Sequence, residues 1–422
     1  MLGSALFFMQ SKSNCIMQRF KHELELCDNV ILRRHDIISF ENHRCEKVIL
    51  ACDFLRLLWY NEKQERMRGD WMNNKTVVVG MSGGVDSSVA AAMLKEQGHN
   101  VVGVTMVLWQ ADDGCGSLAA VEDARRVAEV IGIRHEVLDF REVFCAQVVD
   151  AFAAAYIAGR TPNPCILCNR HVKWEALLAQ ARVLGAEYIA TGHYARVCQH
   201  AETGRYTLMQ SPGGKDQSYA LYNLTQEHLA HTLMPLWEMP KDDVRAYAAR
   251  LGLPVAHKPD SQEICFVPDK DYAAFVEKHT GTAGQEGCYV DRFGACLGRH
   301  KGILHYTIGQ RKGLGVAFGR PMFVTDIRPA ENEVVLGENQ DLLRTTLTAG
   351  GLNFMALPPF EGERRAQGKI RYNQQPAPCT IRLRGDVLEC TFDEPQRAVT
   401  PGQAAVFYWD GCVLCGGTIL RG

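Results

Sequence analysis

One stretch limits the architecture more than any other. A short β-branched run, Thr76 to Met81, leads through Ser82-Gly83-Gly84-Val85-Asp86-Ser87-Ser88 into an alanine-rich segment that stops at Gly98. A buried strand, a glycine turn and a helix in that order form the opening of an α/β unit. The N–H groups at such a junction, together with the helix dipole, favour a bound anion. Glycines let the backbone approach phosphate closely. The lysine of a G-x-x-x-x-G-K-[ST] loop is missing, so the pattern argues against a kinase-type grip on a γ-phosphate and for pyrophosphate release.

The alternation continues downstream. Val101 to Trp109 reads as a strand, Ala119 to Ile131 as a helix ending at Gly132, and His135 to Phe140 as a strand. Val172 to Leu184 then reads as a helix, Tyr188 to Thr191 as a strand, and the segment from Pro240 to Gly252 as a closing helix with acids near its positive end. Repeated βα units predict a parallel sheet covered on both faces. Beyond Pro268 short glycine-rich segments take over, and runs such as Thr380 to Leu383, Leu388 to Phe392 and Ala404 to Tyr408 read as strands. The expected organisation is an N-terminal extension at 1–71, an α/β catalytic domain at 72–268, a small linking domain at 269–345 and a β-barrel at 346–422. The extension has no sustained periodicity and its acids disfavour a transit peptide. Met72 is a candidate functional start, and removal of 1–71 is expected to leave activity nearly intact.

Composition narrows the class. The 422 residues are 46% hydrophobic with a formal net charge of −2, so any nucleic-acid contact must come from local patches such as Arg299-His300-Lys301, Arg311-Lys312 and Arg364-Arg365. No apolar run spans a bilayer and no signal-peptide pattern opens the chain, which predicts a cytoplasmic protein. Sixteen cysteines without a regular frame read as mostly reduced thiols. Cys115, Cys145, Cys198, Cys288, Cys296, Cys379 and Cys390 read as small apolar filler, and Cys412 and Cys415 as packed residues on opposite faces of a strand.

Two cysteine segments differ. Gly159-Arg160-Thr161-Pro162-Asn163-Pro164-Cys165-Ile166-Leu167-Cys168-Asn169 is a rigid turn before a helix that Asn169 or a neighbour would cap, where a helix N-terminus lowers thiol pKa. Asp260-Ser261-Gln262-Glu263-Ile264-Cys265-Phe266 places another thiol after a proline turn. Cys165-x-x-Cys168 also has redox or half-zinc spacing, but no partner C-x-x-C or H-x-x-x-H accompanies it.

The complete S-G-G-V-D-S-S string resembles the PP-loop ATP pyrophosphatases. With T-P-N-P-x-x-x-C-N at 161–169, A-T-G-H-Y at 190–194, K-D-Q-S-Y at 215–219, D-S-x-x-I-C-F at 260–266, I-G-Q-R-K-G-L-G at 308–315, R-Y at 371–372 and V-T-P-G-Q at 399–403, the chain from about residue 74 is similar to the bacterial tRNA-specific 2-thiouridylases. The resemblance implies an ATP-using tRNA sulfurtransferase, with Mg2+ accompanying the ATP, acting on the wobble uridine of Lys, Glu and Gln acceptors. It implies a persulfide on Cys265, supplied by a cysteine desulfurase or sulfur-relay protein, and Cys168 as the resolving nucleophile, with a disulfide between them after turnover.

It further implies that Gly80, Met81, Ser82, Gly83, Gly84, Val85, Asp86, Ser87 and Ser88 hold the nucleotide, with Met106 near adenine and Gly192 against it. Met106 reads equally as core, and Asp86 equally as a magnesium-linked acid or a helix N-cap. Asn163, Pro164 and Cys165 are the expected contacts to the target base. His193, Lys215, Asp216, Gln217, Arg371, Tyr372 and Gln403 are expected to meet tRNA elsewhere, with Tyr372 available to stack on a base. Cys165 stands where other members carry an aspartate suited to act as general base, which leaves that role open. Two rival functions are a PP-loop amide or C–N ligase, which needs no paired thiols, and a non-catalytic tRNA-binding protein.

Overall fold

The computed structural model describes residues 74–109, 115–260, 264–267, 269–316 and 319–421, with backbone alone for 115–117. The expectations for the extension at 1–71 and for the Cys115 side chain lie outside the described residues. Val77, Val78 and Val79 of β1 (Thr76–Gly80) are fully buried, as a central strand between two helical layers requires.

In chain order, α1 (Val85–Glu96), β2 (Asn100–Val107), α2 (Cys115–Ile131) and β3 (Arg134–Asp139) follow. Then come α3 (Leu177–Val183), β4 (Tyr188–Ala190), the hairpin β5 (Ala195–Gln199) and β6 (Tyr206–Gln210), the short β7 (Thr232–Leu233) and α4 (Lys241–Arg250). The sheet order is β3-β2-β1-β4-β7, and every pairing within it is parallel. Two apolar cores cover its faces. One gathers Val77, Val79, Val85 and Val89 with Val244 and Ala248 of α4, and the other gathers Val78, Val102, Trp174, Leu177 and Ile189. The expected α/β unit is therefore present, and the closing helix starts one residue after Pro240, which serves as its N-cap.

The segment expected as one helix from Val172 to Leu184 begins earlier and is not uniform. Pro164–Leu167 is a single α-turn, Cys168–Ala176 is π-helical, and only then does α3 follow. A second π-helical segment, Cys145–Val149, interrupts the helical stretch at 141–157.

The linking region carries α5 (Tyr272–Thr280) and a four-stranded sheet of order β10-β11-β8-β9, made of β8 (Gly287–Val290), β9 (Cys296–His300), β10 (Phe323–Arg328) and β11 (Glu333–Gly337). The last part is antiparallel: β12 (Leu343–Phe354), β13 (Glu363–Lys369), β14 (Ala377–Arg384), β15 (Val387–Arg397), β16 (Ala404–Trp409) and β17 (Cys412–Ile419). Pairing of β12 with both β15 and β17 closes these six strands into a barrel around Ile381, Leu388, Phe392 and Phe407.

The hairpin β5–β6 was not legible as strands, and it joins the barrel sheet. β12 covers β17 from Cys415 to Ile419, leaving the edge at Cys412 open, and there β6 pairs through Met209. Thr207 Oγ1 donates to Val413 O at 2.7 Å, and the Arg205 guanidinium donates to the carbonyls of Met355 and Phe354. A strand edge that would otherwise expose unpaired amides is thus covered by a piece of the α/β half of the chain.

Candidate functional site

The glycine loop lies between β1 and α1. The N-cap of α1 is Gly84, and no side chain caps the helix, so the carboxylate of Asp86 does not have the N-cap role that the sequence allowed. The first-turn amides remain available to an anion. Ser82 N donates to Ser87 Oγ at 3.2 Å, and the Ser87 and Ser88 hydroxyls both donate to Gly84 O, which fixes the loop against the helix start. Gly83 has φ +67°, and a Cβ there would lie 2.5 Å from Ala120 O. Gly192 packs so closely on this turn that a Cβ would lie 2.6 Å from both Asp86 C and Ser87 N. Gly80 lies beside Met106, whose Cε would be 3.5 Å from an added Cβ.

Asp86 instead anchors a charge cluster that the sequence reading missed. Its Oδ1 accepts from Lys241 Nζ at 2.5 Å and from Tyr194 OH at 2.7 Å, and its Oδ2 meets Lys215 Nζ at 3.4 Å. Asp260 pairs with Lys215 and Lys241, each at 2.8 Å, and with Arg245 at 3.2 Å. Burial by itself would raise the Asp260 pKa, but the bonds and charges of Lys215 and Lys241 outweigh it and hold the carboxyl at about 2. Lys258 Nζ donates to Gly83 O at 3.0 Å and pairs with Asp123 at 2.7 Å, tying the loop to α2. Three lysines and an arginine therefore surround the loop mouth, a setting suited to polyphosphate. Both oxygens of Asp86 already face ammonium or phenol donors, so this arrangement does not fit Asp86 as a Mg2+ ligand.

The cysteine turn departs from expectation in its cap and in its thiol. Asn163, not Asn169, is the cap: its Oδ1 accepts from Cys165 N at 3.2 Å, with Pro164 in the favoured first position. Asn169 is buried inside the π-helical segment, where Nδ2 donates to Ala220 O. Cys165 is exposed, while Cys168 is 7% exposed. Burial raises the Cys168 pKa to about 12, against the opposing charge of Lys173, so proximity to a helix start does not produce a thiolate here. Cys265 is exposed as a residue, yet desolvation around the sulfur raises its pKa too, as does neighbouring Cys165.

Cys265 lies close enough to Cys168 for its charge to raise the Cys168 pKa further, and Lys173 acts on both thiols and on His193. Cys168 and Lys173 are five residues apart, and the i→i+5 ladder of a π-helix brings such positions to one face. Lys173 gave no sequence signal beyond being a lysine. His193 is held neutral, with its pKa well below 6.5 through burial and the charges of Lys173 and Lys215, and Nδ1 lies 2.9 Å from Thr191 Oγ1.

The remaining expected contacts divide. Lys215 faces the phosphate loop. Gln217 is bonded to the backbone of Tyr194 and to Tyr372. Asp216 is engaged by Ser211 N and by the N–H and hydroxyl of Ser218. Arg371, Tyr372 and Gln403 share a cavity of about 370 Å³ with Thr161, Arg397 and Thr400, between the cysteine turn and the barrel. Of the basic runs, Arg311 and Lys312 are exposed, His300 is buried, and Arg365 is paired with Asp393.

All the described cysteines are free thiols. Cys379, Cys390, Cys412 and Cys415 are buried, as filler should be, whereas Cys296 is exposed at the strand edge and hydrogen-bonded to Cys288. Among the described residues, the group near enough to share a metal ion is Cys145, Asp150 and His279, which does not include Cys165 or Cys168. No described helix is long and apolar enough to cross a membrane.

The comparisons with known proteins agree along the chain. Residues 75–269 match the family model described as tRNA methyl transferase HUP domain, 273–338 the tRNA methyl transferase PRC-barrel domain, and 344–419 the aminomethyltransferase beta-barrel domain. A tRNA-specific 2-thiouridylase MnmA of Clostridioides difficile is 55% identical over 82% of this chain and 98% of its own length. The protein of that name in Lachnoclostridium phytofermentans is 56% identical over 82% of this chain and all of its own length, and that of Acetivibrio thermocellus 51% identical over 83% and all of its own. With such identity across the relatives' whole length, the chain belongs to the tRNA-specific 2-thiouridylase (MnmA) family.

Proposed function

We propose that this enzyme replaces the 2-oxygen of the wobble uridine of tRNA with sulfur, in an ATP-dependent reaction that runs through an adenylated base and a cysteine persulfide. The observation that carries the reading is that Cys265 lies within electrostatic reach of the sequence-distant Cys168, with one ammonium, Lys173, acting on both thiols and on His193, whose neighbour Gly192 packs on the phosphate loop. An amide ligase has no use for the thiol pair.

In the proposed sequence ATP is a substrate held by 80–88, Gly192 and Met106. The uracil 2-oxygen attacks the α-phosphorus and the bond to pyrophosphate breaks. Lysines 215, 241 and 258 offset the charge that leaves. Cys168, losing its proton to solvent as it reacts, then attacks the inner sulfur of a Cys265 persulfide, forming the Cys168–Cys265 disulfide and releasing hydrosulfide, which adds to C2 and expels AMP. An external thiol reductant restores the pair. Asn163, Pro164, Cys165 and His193 line the place assigned to the target base, while Gln217, Arg371, Tyr372 and Gln403 hold the surrounding tRNA. We assign the catalytic part to 72–268, the linker to 269–345 and the barrel to 346–422.

The decisive experiment supplies a labelled persulfide donor, ATP and tRNA to Cys168→Ser and Cys265→Ser proteins and follows sulfur on protein and RNA. Cys265→Ser should carry no persulfide sulfur at that position, Cys168→Ser should load sulfur but not transfer it, and both should release pyrophosphate in a tRNA-dependent manner. Wild-type thiolation by both variants would discard the two-thiol mechanism.

A further inference from the structure

Lys369 ends β13 and is 6% exposed. Its Nζ lies 5.6 Å from the centroid of the Tyr219 ring and 5.8 Å from that of Tyr372. Among the described residues no hydrogen bond or ion pair reaches that ammonium. The lysines around the loop mouth, by contrast, each have a carboxylate: Lys215 and Lys241 share Asp86 and Asp260, and Lys258 has Asp123. The acid nearest to Lys369 in its electrostatic influence is Asp216, whose oxygens are already engaged by Ser211 and Ser218. An ammonium partly desolvated beside two aromatic rings gains cation–π attraction, while burial lowers its pKa and its N–H donors meet no protein acceptor.

The surroundings indicate what would use them. Tyr372, 38% exposed, lines the cavity that also holds Arg371 and Arg397. Those guanidiniums are bonded to uncharged oxygens, Arg371 to Ala398 O at 2.6 Å and Arg397 to Asn339 Oδ1 at 3.0 Å. Three cations without carboxylate partners thus flank one exposed aromatic ring. A ring able to stack on a base, with unpaired cations around it, matches the chemistry of single-stranded RNA.

Resting on the tRNA reading above, we propose that Lys369 binds a backbone phosphate of the RNA substrate beside the nucleotide that meets Tyr372, and that the free protein holds its ammonium partly desolvated, without a protein acceptor, for that contact. Stability and binding should then move in opposite directions when the charge is removed. A partly desolvated charge without a protein partner adds nothing to folding, whereas a phosphate partner makes it a strong contact.

The test compares full-length wild type, Lys369→Met and Lys369→Arg by tRNA binding across a salt series and by thermal unfolding without RNA. Lys369→Met should bind tRNA about tenfold or more weakly. Its slope of log affinity against log salt should be shallower by about 0.7, the value for one phosphate contact in a single strand. Its melting temperature should equal or exceed that of wild type, and Lys369→Arg should retain the wild-type slope. An unchanged slope in Lys369→Met, or weaker binding accompanied by a clear fall in melting temperature, would overturn the assignment. Wild-type protein that binds no tRNA would instead sink the functional reading, and the phosphate contact with it.

Discussion

The side-chain amide of Gln403, in the loop between β15 and β16, donates to the carbonyl of Thr161 at 2.8 Å, and Thr161 N in turn donates to Pro401 O at 2.9 Å. The barrel therefore holds the turn that presents Asn163, Pro164 and Cys165. Gly402 completes the fit, because a Cβ there would lie 2.9 Å from Thr161 N. Gln403→Ala should cost about 1 kcal/mol of stability. It should also speed amide exchange across 161–168 and raise KM for tRNA more than it lowers kcat. Hydrogen exchange of the free protein checks the first half, and steady-state kinetics the second.

Gly192→Ala should damage nucleotide use without unfolding the chain. The added methyl would meet backbone at 2.6 Å, and backbone cannot rotate away as a side chain can. The start of α1 has to shift, and with it the amides offered to phosphate. A drop of tenfold or more in ATP affinity by calorimetry is expected, with an almost unchanged circular dichroism spectrum.

The buried thiol gives a pH signature. Because the Cys168 pKa is raised to about 12, the free enzyme holds it as a thiol at neutral pH, and its alkylation by iodoacetamide should be slow and keep rising with pH through the alkaline range. Lys173→Met removes the cation that opposes this shift, so alkylation of Cys168 and Cys265 should slow further at any given pH. Mass-spectrometric rates for each cysteine separate the two from exposed Cys165.

Asp260 predicts the acid limb of stability. Its carboxyl falls from 3.8 unfolded to about 2 folded, so the folded state binds fewer protons in that range. The stabilising contribution is complete above about pH 4 and disappears as pH falls through 2. Asp260→Asn should flatten the stability profile between those values, as followed by denaturant unfolding at a series of pH values.

What was legible in the sequence is what local chemistry writes into neighbouring residues. The strand–glycine–helix junction at 76–97 and the thiols Cys168 and Cys265 can be read because each motif is contiguous. Tyr194, Lys241, Arg245 and Lys258 converge on Asp86, Asp260 and the loop from separate segments, and no spacing rule relates them. The π-helical course of 168–176 was hidden for another reason: apolar positions there fit an ordinary helix, and only the backbone shows that Lys173 shares a face with Cys168. Burial was equally invisible, so a thiol near a helix start read as acidified when desolvation has the larger effect.

The strand β6 at the Cys412 end of β17 changes what counts as a separable part. A gene fragment beginning at β12 would encode a barrel whose last strand has lost its covering neighbour, while the remaining fragment would keep a hairpin with no sheet to join. Chimeras that exchange barrels between relatives should therefore carry residues 195–210 along with 343–421. The unit of inheritance for this surface is discontinuous in the chain, and recombination at the obvious linker would split it.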